Sequence, residues 1–238
     1  MPLGLKPEYF YLGLGAVLAL VFLLPFPNWV GWYFAALVHE MGHAATAWAL
    51  GFPAVPALGV GQAITIENAQ VLPLALALWA AALGFAWRNL GGRQRWVAVT
   101  VISCAYPLLA FTSLGTLFKL IAGHGAELAF AGLAFWRALT GGFTSSRAER
   151  ALYGVLAWFL LASNIHLSVG LAASAGARAA YEASGSFGCT NDYIRVADGW
   201  LGGSLEGVAL LATLPALAVL PLVLLLRSLT RRDLIDLG

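Results

Sequence analysis

Charge is what this sequence has least of. Only 10 % of its 238 residues are Asp, Glu, Lys or Arg, against about 25 % in a soluble domain. With 61 % hydrophobic residues and a mean hydropathy of +0.82, that scarcity excludes an ordinary water-soluble fold. It predicts an all-α, multi-pass integral membrane protein, one polytopic domain over residues 1–238, with the lipid bilayer as its solvent. Cysteine is nearly missing too: Cys104 and Cys189 make no disulfide framework. The net charge is only +2 and no basic cluster tracks phosphates, which excludes nucleic acid as a partner. There is no internal repeat, no low-complexity segment, and no small-residue cleavage site behind the first apolar run.

Histidine is also rare, four residues in all, and that makes its placement informative. Trp29 to Leu50 reads WVGWYFAALVHEMGHAATAWAL. It is apolar enough to cross a membrane, yet it carries His39, Glu40 and His43 at its centre. Helical residues four apart share a face, so His39 and His43 can grip one ion together. Glu40 stands beside them as a carboxylate base. This is the HExxH pattern of a zinc site that activates water. Ionisable groups inside a span are costly, and functional by default.

Taken in order, the chain predicts about seven spans: 9–25, 29–50, 71–87, 96–121, 124–139, 151–173 and 204–226. Pro25-Phe-Pro27 closes the first, and Gly51 and Pro53 end the second. Between the second and third, Phe52 to Gln70 is too apolar for a solvated loop and too broken for a helix. Ala63 to Glu67 alternates like a strand. The segment reads as re-entrant or β-hairpin-like, lying against the protein at membrane depth, with a plain surface loop as the alternative. Pro107 is expected to kink the fourth span. Gly123-His124-Gly125 is expected to open the fifth.

Seven spans place the loop at 88–95, the loop at 137–150 and the tail on one side. They hold nine of the thirteen Lys and Arg. The excess of positive charge predicts an outer N-terminus and a cytoplasmic C-terminus. Cys104 then falls in the inner half and Cys189 in an outer loop, too far apart to pair. His43 lies about 10 Å before the outer end of its helix, His166 about 10 Å before the end of the sixth span, and His124 opens the fifth at the outer face. All four histidines therefore share one half of the membrane. His124, between two glycines, is the expected third zinc ligand; capping a helix is its alternative. Glu127 either supports the site or favours a helix N-terminus. Asn164 either binds substrate backbone or joins helices. His166 either serves the site or bonds a neighbouring carbonyl.

At His39-Glu40-Met41-Gly42-His43-Ala44 the chain resembles the site-2 protease type of intramembrane zinc metalloprotease. That family carries HExxH inside a transmembrane helix, followed by a broken, partly β segment to which Phe52 to Gln70 is similar. The resemblance implies His39 and His43 as ligands of one zinc ion and Glu40 as the base. It also implies an aspartate ligand from an Asn-Pro…Asp-Gly motif. No Asn-Pro occurs here, and Asp198-Gly199, with Asn191 upstream, is the one Asp-Gly. The expected activity is hydrolysis of a membrane-associated or transmembrane polypeptide. The alternatives are a metal-dependent hydrolase or transferase on a lipid-linked substrate, and a non-enzymatic metal-binding membrane protein or transporter. The oligomeric state is not legible.

Overall fold

Proline sets the first feature of the fold. A residue before proline is pushed out of the helical region, and Leu24 accordingly sits extended, φ −75°, ψ 144°. Pro25 then opens a helix, where its missing N–H costs nothing. In the computed structural model, which describes residues 7–144, 146–185 and 190–235, helix α1 (Pro7–Ala19) runs through a 3₁₀ turn (Leu20–Leu23) into α2 (Pro25–Ala49). The two arms are bent by 110°.

The segment after α2 is a two-stranded antiparallel hairpin, β1 (Ala54–Gly59) and β2 (Gln62–Glu67), with Ala54 opposite Glu67 and Gly59 opposite Gln62. The alternation at 63–67 was therefore a strand signal. The hairpin's open end is tied down. Trp48 Nε1 donates to Ala54 O at 2.7 Å, and Gln70 Nε2 donates to Leu50 O and Ala110 O. Then follow α3 (Leu72–Asn89), α4 (Gly92–Phe111), α5 (Ser113–Thr140), α6 (Arg147–Ala173), the short α7 (Ala175–Glu182) and α8 (Asp192–Trp200), and α9 (Leu205–Ile235).

Among the described residues, four helices are long and apolar enough to cross a membrane: α4, α5, α6, and α9 over Leu205–Thr230. The bent α1–α2 pair makes a fifth if it counts as one span. The expected seven are not reproduced. Helix α1 has 13 residues, roughly 20 Å of rise against a core of about 30 Å. Helix α2 spends its middle on His39, Glu40 and His43, and α3 ends in Arg88 and Asn89. The fourth and fifth boundaries also move. Thr112 is extended and caps α5, its hydroxyl accepting from Leu114 N. Helix α5 then continues unbroken through Gly123-His124-Gly125. His124 is thus mid-helix, not at a helix start. Helix α4 runs on through Pro107. Cys104 is exposed, and Cys189 lies outside the described residues.

The main core lies between α5, α6 and α9. Phe135, Leu139 and Leu160 are fully buried there among Ala131, Ala134, Ala157 and Ala216. Apolar contact alone does not drive helices together in lipid, whereas small side chains let backbones approach and pack. A second cluster joins Leu120 of α5, Leu171 of α6 and Leu205, Val208 and Ala209 of α9 to Tyr193, Val196 and Ala197 of α8. That cluster seats α8 against the bundle. Helices α3 and α4 stand at the edge, burying only Ala75, Ala86 and Ala110.

Candidate metal centre

The site begins with one turn of α2. His39 and His43 lie on the same face, which meets α5 almost backbone to backbone. A Cβ on Gly42 would lie 2.4 Å from Ala122 O and 2.5 Å from Ala126 Cβ. A Cβ on Gly123 would lie 2.4 Å from His39 Nε2 and 2.5 Å from His43 Nε2. The glycine inside the HExxH turn brings the two helices together. The glycine opposite leaves free the space that the two Nε2 atoms face.

The Nδ1 atoms are both engaged. His39 Nδ1 lies 2.9 Å from Glu127 Oε1, and His43 Nδ1 lies 2.7 Å from the backbone oxygen of Lys119. A carbonyl only accepts, and an ionised carboxylate only accepts, so each Nδ1 carries the proton and donates. A ring whose one proton is at Nδ1 presents a lone pair at Nε2. The two Nε2 atoms are 2.9 Å apart. Asp192, the first residue of α8, completes the group: its Oδ2 is 2.9 Å from His43 Nε2 and 3.1 Å from His39 Nε2. Three acceptors thus converge on one point with few protons to share, an arrangement that could hold a cation. Donors about 2.0–2.1 Å from one tetrahedral ion are about 3.3 Å apart, and these edges need open by only a few tenths of an ångström. The residues fit a divalent ion such as zinc.

A second shell stands behind His39. Asn164 Nδ2 donates to Leu160 O and to Glu127 Oε2. Its amide orientation is thereby fixed, and Asn164 Oδ1 accepts from His124 Nδ1 at 3.1 Å. His124 Nδ1 also lies 3.5 Å from Glu127 Oε2. Glu127 and Asn164 are buried, and their polar atoms are satisfied within this chain of contacts. Metal-bound histidines are typically oriented in this way, through the nitrogen that does not ligate.

Glu40 is buried with one side-chain partner among the described residues. Thr65 of β2 donates to Glu40 Oε2 at 2.7 Å, or to Glu40 O at 3.0 Å. A cavity of about 720 Å³ opens in front of these groups. Its walls are α2, β2, α5, α6, Tyr181 and the start of α8, and His39, Glu40, His43, His124, Glu127, Asn164 and Asp192 all line it.

Of the residues singled out in the sequence, His39, Glu40, His43, His124, Glu127 and Asn164 come together. His124, expected as the third ligand, groups with His39 and Glu127; Asp192 stands opposite the two Nε2 atoms. His166 is exposed on the other face of α6, beside Trp158, Ile165 and Val169. Two residues on from Asn164 is about 200° around a helix. Asp198, the Asp-Gly residue, is also exposed. The sequence reading missed Asp192, Thr65 and Gly123. Asp192 had one faint signal, a carboxylate beside Asn191 in the longest polar stretch of an otherwise apolar chain. Comparison with known protein families, with curated proteins and with solved structures finds no match to this chain.

Proposed function

We propose that this chain is a membrane-embedded zinc metallopeptidase that hydrolyses membrane-associated or transmembrane polypeptides. The observation that carries the reading is the triangle of His39 Nε2, His43 Nε2 and Asp192 Oδ2 beside the Glu40 carboxylate on an open cavity. The geometry supports His39, His43 and Asp192 as the ligand set. One zinc ion held there supplies Lewis-acid polarisation of a carbonyl and lowers the pKa of water toward neutrality. Glu40, close to the triangle but outside it, takes a proton from water and delivers it to the leaving amine. Glu127 and the Lys119 carbonyl keep the two imidazoles in the ligating tautomer.

The cavity wall favours a polypeptide over a lipid-linked substrate. Ala63, Ile64 and Thr65 of β2 line it, and β2 pairs only with β1, so its other edge is free among the described residues. A strand edge matches the alternating donors and acceptors of an extended peptide. It offers nothing comparable to a lipid headgroup. A transmembrane substrate helix has to unwind before it can lie there. The basic residues support a membrane orientation: if α4, α5, α6 and α9 each cross the bilayer, Arg88, Arg93 and Arg95, Arg137, Arg147 and Arg150, and Arg227 share one side. That side is the cytoplasmic one, C-terminus included, and the metal centre lies toward the other.

The test is zinc analysis beside cleavage of a transmembrane peptide in detergent or liposomes. Wild type holds about one zinc per chain. Glu40→Gln keeps that zinc and loses at least about 100-fold in cleavage rate. Zinc retained with equal cleavage in both proteins removes Glu40 as the base. Zinc retained with no cleavage by wild type points to a metal-binding or transport protein instead.

A further inference from the structure

Glu40 stands apart from the ligand cluster, with a single hydroxyl among the described residues to support its carboxylate. It is 7 % exposed, and burying a carboxylate is costly unless something bonds to it. Glu127, equally buried, has partners in His39, Asn164 and His124. Glu40 has the Thr65 hydroxyl. That hydroxyl carries one hydrogen and has two acceptors within reach, Oε2 and the backbone O of the same residue. Either way it sits over the same edge of Glu40. The other carboxylate oxygen is left without a protein partner among the described residues, and the cavity adjoins it.

Thr65 is itself held firmly. It is two residues from the tied end of the hairpin, where Ala54 pairs with Glu67. On one side Trp48 bonds Ala54 O, and Phe52 packs on Ala44, Ala47 and Ala54. On the other, Lys119 Nζ pairs with Glu67 Oε1 and lies 3.7 Å from the Phe52 ring centre. The hydroxyl therefore reaches Glu40 from a strand fixed to both α2 and α5.

We propose that Thr65 is a positioning residue for Glu40: its hydroxyl holds one carboxylate oxygen so that the other faces the cavity lined by His39, His43 and Asp192, which would hold the ion, and it ties the base to the strand that borders that cavity. This rests on reading His39, His43 and Asp192 as a metal site and Glu40 as its base. A hydroxamate is a suitable probe, because it chelates a metal through two oxygens and hydrogen-bonds an adjacent carboxylate without being hydrolysed.

The experiment loads purified protein with cobalt and follows acetohydroxamate binding by the visible absorption of the metal. Thr65→Val keeps the β-branched shape and removes the hydroxyl; Thr65→Ser keeps the hydroxyl. Both variants bind cobalt at the wild-type ratio. Thr65→Val binds acetohydroxamate about 10-fold more weakly, the scale of one charge-assisted hydrogen bond, and Thr65→Ser stays within about 2-fold of wild type. In a Glu40→Gln background, Thr65→Val adds no further loss, since the hydroxyl acts through Glu40. Equal binding by wild type and Thr65→Val overturns the proposal. So does Thr65→Ser as weak as Thr65→Val, or loss of cobalt from either. If Thr65→Val does not fold, Thr65→Ser and Thr65→Ala make the same comparison. Wild type that holds cobalt but binds no hydroxamate overturns it as well. Peptide cleavage plays no part in this measurement, so failure of the peptidase reading shows separately, as loaded wild type that binds the probe and cleaves nothing.

Discussion

His39 faces two environments built from the same residue types. On its Nε2 side stand a histidine and a carboxylate, His43 and Asp192, with every contact between 2.9 and 3.1 Å. On its Nδ1 side stand another histidine and another carboxylate, His124 and Glu127, with Asn164 between them. The difference lies in the protons. On the Nδ1 side each acceptor has a donor: His39 and Asn164 donate to Glu127, and His124 donates to Asn164. On the Nε2 side the rings have spent their protons elsewhere, and only lone pairs and an anion remain. Composition alone does not separate the two groups as candidate metal sites; the hydrogen-bond account of each atom favours the Nε2 side.

The sharpest way to break that comparison is to remove one carboxylate from each side. Asp192→Ala deletes a donor and is expected to abolish stoichiometric zinc. Glu127→Gln keeps the shape and costs roughly 10–100-fold in zinc affinity, the scale for a residue that orients a ligand. Competition with a chelator of known affinity, on folded and monodisperse protein, measures both. Asp192→Ala with wild-type affinity, beside His124→Ala with none, would exchange the roles of the two sides.

The two glycines around His124 give a second contrast. A methyl group on Gly123 has no room beside the two Nε2 atoms, whereas a Cβ on Gly125 meets nothing within 4 Å. Gly123→Ala is expected to lose most bound zinc by pushing the imidazoles off the shared point. Gly125→Ala, which improves helix propensity by up to about 1 kcal/mol, keeps zinc and stability. The measurements are zinc content and thermal unfolding of the two variants side by side. Equal zinc in both would mean that the ion sits away from Gly123.

These contrasts also mark where the sequence was readable. His39, Glu40 and His43 were legible because their spacing is local, and helical geometry fixes it without help. The hairpin was legible for the same reason, through alternation over five residues. Asp192 was not: it meets His39 from 153 positions away, and nothing near it in the chain announces that meeting. The family resemblance implied an aspartate, but it directed attention to Asp198-Gly199, on the exposed side of α8. His124 was placed in the right neighbourhood by a mistaken route. Gly-His-Gly suggested a helix start, whereas the true start is capped by Thr112, and α2 packs on the glycine instead of a break forming there. Among the described residues four helices, or five with the bent α1–α2 pair, meet the length and hydropathy of a span; the remaining expected ones are short, bent at proline or interrupted by polar residues. Membrane length rules describe helices that face lipid, and α2 faces α5 and the hairpin.

The smallest effects separate depth from direction on α6. Asn164 and His166 lie at nearly the same level, about 3 Å apart along the axis. Depth alone made both candidates for the site. Direction distinguishes them: Asn164 is buried against Glu127, and His166 is exposed on the far face. Asn164 makes no hydrogen bond to His43 or Asp192 and reaches His39 through Glu127 and through the His124 ring. Its loss therefore removes support at one remove. Asn164→Ala also leaves Glu127 Oε2 with His124 as its remaining contact, and the carboxylate gains freedom to turn away from His39 Nδ1. A fall of about 3–10-fold in zinc affinity follows, at the lower end of the range for outer-shell changes. Asn164→Asp is expected to do worse than Asn164→Ala, because it sets a second carboxylate against Glu127 with no amide hydrogen between them. His166→Leu leaves zinc affinity within about 2-fold of wild type, since an exposed residue on the opposite face has no partner in the network to disturb. The chelator competition that ranks the larger effects resolves this one too. A His166→Leu loss as large as that of Asn164→Ala would show that the far face of α6 is energetically tied to the metal centre. The division of the site into the two sides of one imidazole would then have to be extended through α6.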